Sequence, residues 1–74
     1  MDLVMDYLGE QFVIELKIWR GKAYHKQGEE QLASYLNDIH LNIGYMLIYN
    51  FNQAKIPGIT HVKIGETELI EAMV

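Results

Sequence analysis

Seventy-four residues are enough for one small domain, and a chain this short buries only about 60% of the surface its unfolded form exposes. With no cysteine it has no disulfide framework and no thiolate metal site, and its six Lys and Arg against ten Asp and Glu speak against a surface that is basic throughout for phosphate binding. Half of the residues are hydrophobic, so the packing is unusually apolar or part of that surface meets a partner.

No apolar run approaches the roughly 18 residues of a membrane span, and no basic-then-apolar leader is visible. A cytoplasmic setting is the expectation. Residues 2–8 read as a strand, followed by a short turn around Gly9-Glu10 and a second strand over residues 12–18. In the second strand Glu15 and Lys17 share one face, about 7 Å apart, while Phe12, Ile14, Leu16 and Ile18 share the other. The apolar face reads as core and the charged face as a polar site. An edge strand with a solvated salt bridge is the plain alternative. Pairing Leu8 with Gln11 sets Val4 opposite Glu15 and Asp2 opposite Lys17, which gathers Asp2, Glu15 and Lys17 on one face and leaves the other wholly apolar.

After a loop at residues 19–22 the period becomes helical over 24–39, with Tyr24, Gly28, Gln31, Leu32, Tyr35, Leu36 and Ile39 on one stripe. Gly28 costs about 1 kcal/mol there relative to Ala, which implies either a close backbone approach or a regular helix that starts only near it. The apolar run 44–49 reads as a central strand covered on both faces, completing a β-α-β unit with parallel strands. A loop over 50–58 and a terminal hairpin, 61–64 and 68–73 around Gly65-Glu66, close the chain. The predicted fold class is α/β with a small mixed sheet. His25, His40 and His61 fall at no metal-ligand spacing and read as surface or loop residues. Tyr45, Tyr49 and Phe51 could stack bases, although packing explains them more simply in an acidic chain.

Two carboxylates beside a lysine suit metal-dependent phosphodiester hydrolysis, with oxygen ligands for Mg²⁺ and an ammonium for the charge that develops on phosphate. The residues Asp2-Leu3-Val4, Glu15-Leu16-Lys17-Ile18-Trp19-Arg20-Gly21, Tyr24-His25, Gly28, Gln31-Leu32-Ala33-Ser34-Tyr35-Leu36 and Gly44-Tyr45 extend that pattern over most of the first fifty positions. In them the chain resembles the PD-(D/E)XK nuclease superfamily, in particular the nuclease-like domain at the C-terminus of AAA-ATPase-like proteins. Gln31 and Tyr35 resemble the Q-x-x-x-Y helix motif of RecB-type members.

The resemblance implies a restriction-endonuclease-like core spanning 1–74, with Asp2 and Glu15 as ligands of Mg²⁺ or Mn²⁺, Lys17 as the catalytic lysine, and Gln31 and Tyr35 as accessory residues. DNA is the implied substrate, and an ATPase domain the implied neighbour in longer relatives. The family core usually begins with a helix and a further strand before the aspartate, so by this measure the chain is N-terminally incomplete. That leaves apolar positions such as Leu3 and Met5 to be covered by a homodimer contact. The non-enzyme alternative is a degenerate domain that binds protein or nucleic acid beside an ATPase.

Overall fold

The computed structural model describes residues 2–51 and 57–74, with the backbone alone for positions 2 and 3. The elements are β1 (Asp2–Tyr7), β2 (Glu10–Ile18), α1 (Lys22–Asp38), β3 (Ile43–Tyr49), β4 (Gly58–Ile64) and β5 (Thr67–Met73). They form one five-stranded mixed sheet in the order β1-β2-β3-β5-β4, with α1 packed on β3 and β5. The α/β class and the β-α-β unit are as expected, since β2 and β3 run parallel with α1 between them in the chain. β5 is a second parallel neighbour of β3, and β4 pairs antiparallel on its far side as the outer strand of the terminal hairpin. Most of the expected 50–58 loop, residues 52–56, lies outside the described residues.

The first hairpin is two residues out of its predicted register. Tyr7 pairs with Glu10, Val4 with Val13, and position 2 with Glu15 instead of Lys17. The turn is Leu8-Gly9, with φ of 50° and 81°, so both central residues take the left-handed backbone that a type I′ turn requires. Leucine is a poor residue for that conformation, and this is why the sequence does not advertise the turn there. A slip of two preserves the pleat, so each set of residues keeps its own face.

The larger correction concerns which face is the core. The helix lies over the face that carries Glu15 and Lys17, and the buried cluster is Val13, Leu32, Leu36, Met46, Ile48 and Leu69. Phe12, Ile14, Leu16 and Ile18 look away from α1, and β3, expected to be covered on both sides, is covered on one among the described residues. On β2 the covered face offers only Val13 among Gln11, Glu15 and Lys17, so the apolar side chains of β3 and β5, on which α1 packs, set the core there.

The seat of the helix is Leu36, fully buried against Gly44. A Cβ at Gly44 would stand 2.5 Å from Leu36 Cδ1, so the close approach requires glycine. The helix ends in a Schellman arrangement, with Leu41 N–H donating to the Leu36 carbonyl at 2.9 Å and His40 N–H to that of Asn37 at 3.2 Å. His40 carries the positive φ of 61° that glycine usually supplies at this position.

The hairpin yields a direct test. Leu8→Asn places Asn-Gly, the preferred type I′ pair, where 86% of the Leu8 surface faces solvent. It should raise stability by about 0.5–1 kcal/mol and the thermal midpoint by a few degrees. An unchanged or lower midpoint would show that the turn carries no strain.

Candidate functional site

Beside α1, on its β2 side, Lys17, Tyr24, Gln27, Gly28 and Gln31 line a cleft of about 260 Å³. Lys17 enters from the sheet. Its side chain is only 12% exposed, and Nζ lies 3.7 Å from Glu15 Oε1 and 4.5 Å from the centre of the Tyr24 ring. The Arg20 guanidinium approaches the same ring at 5.9 Å, which puts two cations around one aromatic ring. Glu15 is 13% exposed, so this ion pair is partly desolvated, unlike the solvated edge pair considered as the alternative.

Gly28 is explained by this cleft. The helix starts at Lys22, well before it, and a Cβ at Gly28 would overlap Lys17 Cε and lie 2.8 Å from Nζ. The close approach is therefore by the Lys17 side chain, and the glycine clears its path.

Of the other sequence-selected residues, Gln31 is exposed and borders the cleft, whereas Tyr35, 40% exposed, stands outside its lining. The buried stripe of α1 runs through Gly28, Leu32, Ala33 and Leu36, so Tyr24, Gln31 and Tyr35 flank it instead of sharing it. Position 2 stands opposite Glu15 in the ladder, and the Asp2 side chain lies outside the described residues.

On the other side of the helix the structure assembles a group that sequence spacing does not reveal. His25 Nε2 lies 2.8 Å from Glu71 Oε1 on β5 and 3.3 Å from Glu29 Oε2 one helical turn on. The Trp19 ring packs on the imidazole at 5.1 Å between centroids. His25 is thus a partly buried member of a cluster and not a surface residue, which corrects the sequence reading. His61 is on the surface, in an exposed pair with Glu68 at 3.1 Å. The i,i+4 spacing of His25 and Glu29 was the available signal, but the third member is 46 residues from His25 and only the tertiary fold brings it in.

Glu71 is 5% exposed. Burial pushes its carboxyl up from 4.5 to about 8, and the hydrogen bond and charge of Glu29 push the same way.

Comparison with known protein families, characterised proteins and solved structures finds no match.

Two predictions follow from these environments. Gly28→Ala should hold or raise stability, because alanine is favoured in a helix by about 1 kcal/mol and the obstructing atoms belong to a flexible side chain. It should also drive the Lys17 ammonium off its seat, seen as a changed Lys17 Nζ resonance by NMR. A variant with an unmoved Lys17 signal would contradict the cleft geometry. For Glu71, the native state keeps a proton that the unfolded chain releases between pH 4.5 and about 8, so this residue makes stability fall as pH rises across that window. Denaturation midpoints in metal-free buffer should show the fall, and Glu71→Gln should flatten it. Parallel profiles for the two proteins would refute the assignment.

Proposed function

We propose that this chain is a PD-(D/E)XK-type nuclease domain that hydrolyses DNA phosphodiesters with Mg²⁺ or Mn²⁺. The observation that carries the reading is the Lys17 ammonium held beside Glu15 in a cleft that Gly28 opens and Gln31 borders. Glu15, with Asp2 as its ladder partner, supplies the hard oxygen ligands that suit Mg²⁺, and these two residues would hold the ion. When bound, the ion supplies positive charge to the phosphate and lowers the pKa of a water.

The chain's own residues do the rest. Lys17 and Arg20 present positive charge at a cleft of an otherwise acidic protein, where a single phosphate can be drawn in without a broad basic surface. The Lys17 ammonium would stabilise charge growing on the phosphoryl oxygens, and its contacts with Glu15 and the Tyr24 ring hold it in place before substrate arrives. The Gln31 amide can orient a water or a phosphate oxygen at the rim.

A second feature supports a homodimer within the same reading. The sheet face away from α1 carries Met5, Tyr7, Phe12, Ile14 and Tyr45 around a hollow of about 310 Å³, with Ile18 and Tyr49 half exposed beside it. A sheet face this apolar needs a cover, and a second copy offers the same patch in return across a two-fold axis. This surface is also what the interaction-module alternative would use beside an ATPase. Among the described residues no helix is long and apolar enough to cross a membrane.

Incubation of the purified chain with plasmid DNA and Mg²⁺ or Mn²⁺ should nick or linearise it. Glu15→Gln and Lys17→Met should each lower the rate by about 10²-fold or more while circular dichroism stays native. A native protein without cleavage, or a Lys17→Met variant with full activity, would dismiss the hydrolytic reading and leave the interaction module. Sedimentation at micromolar concentration should give a dimer that Ile14→Glu converts to monomer; a monomeric native chain would end the dimer proposal.

A further inference from the structure

We propose that His25, Glu29 and Glu71 form a binding site for one divalent first-row transition ion, of the Zn²⁺ or Mn²⁺ type, separate from the Glu15–Lys17 cleft. One ligand atom from each of the three residues lies within 4.8 Å of the other two, a spread that one ion can close with small side-chain adjustments.

Three independent observations point to a cation. The first is Glu71 Oε2, a buried oxygen on a side chain only 6% exposed, reached by no nitrogen or hydroxyl donor and set beside the equally acidic Glu29. An unsatisfied buried carboxylate oxygen is costly, and a metal ion is a partner that fits where no donor stands. The second is charge. Two carboxylates face one imidazole, and among the described residues neither is paired with a lysine or arginine. A divalent ion that displaces the proton Glu71 otherwise keeps balances the two carboxylates, with the histidine neutral as a metal ligand must be. The third is rigidity. His25 and Glu29 project from one face of α1, a turn apart, toward the central part of β5, and the Trp19 ring fixes the tilt of the imidazole.

The donor set of one imidazole nitrogen and two carboxylates suits Zn²⁺ or Mn²⁺ better than a soft ion that needs thiolates. It also leaves coordination positions for water. The site is not the second half of a paired-metal centre with Glu15. Glu15 and Glu71 both face Met46 across the ladders, so two strand spacings of about 4.8 Å part them at the backbone, against the roughly 4 Å between the ions of such a centre. Met46, buried between them, keeps the two sites apart. This inference stands on its own cluster and does not depend on the nuclease reading.

The test is titration of the metal-free full chain with Zn²⁺ alone. Calorimetry should include one site of micromolar affinity or tighter, and the thermal midpoint should rise. Long-range ¹H–¹⁵N spectra of the imidazoles should show the His25 Nε2 resonance moving while those of His40 and His61 stay. Affinity at this site should drop at least tenfold in His25→Gln and Glu71→Gln and be unchanged in His61→Gln, which removes an exposed imidazole. An unmoved His25 resonance in the native protein at saturating Zn²⁺ would overturn the proposal even if the variants failed to fold. So would affinity at this site that survives His25→Gln or is lost in His61→Gln, since the ion would then sit elsewhere.

Discussion

The contact of Leu36 with Gly44 sets the height of α1 above the sheet, and every other feature of the charged face depends on that height. Because β3 offers hydrogen where a side chain would otherwise stand, the helix settles close enough for Leu32 and Leu36 to meet Met46, Ile48 and Leu69 in one buried cluster. A helix is narrower than the sheet it covers, so a close seat leaves a flank on either side. Along one flank lie Lys17 and Glu15, along the other Glu71, and the helix contributes residues to both from adjacent positions. Tyr24, Gly28 and Gln31 turn toward the first, His25 and Glu29 toward the second.

Neither group of charges is an efficient way to hold the fold together. Partly buried ion pairs give back in desolvation much of what they gain in attraction, and apolar residues of equal volume would pack there at least as well. A small domain with no disulfide has little stability to spend on such sites. The glycine opposite Lys17 makes the same point, since alanine would serve the helix better and only the lysine gains from its absence. On the Lys17 flank the sequence gives up local helix stability to hold a charge in place.

The opposite face of the sheet presents the complementary problem. Tyr7, Ile18 and Tyr49 are 64%, 46% and 45% exposed on a face that the period-two pattern makes almost wholly apolar. A solvated sheet ordinarily alternates apolar with polar residues so that water meets the polar side. Here β3 carries apolar residues on both sides, so its pattern fits a strand covered twice, and the fold supplies one cover among the described residues.

The sequence by itself determined the elements and their kind, because periods of two and 3.6 are local properties of the chain. It determined that Glu15 and Lys17 share a face, a consequence of the pleat that no slip of two residues can undo. It could not determine the turn at Leu8-Gly9, because a leucine with positive φ contradicts the propensity that a reader must use. Nor could it decide which face of β2 receives the helix, since Val13, Glu15 and Lys17 look less like a core than Phe12, Ile14 and Leu16. Tertiary structure alone made that choice, through the path of the crossover and the seat at Gly44. It also joined His25 and Glu29 to Glu71 by laying α1 across β5, a contact between chain segments with no local pattern to announce it.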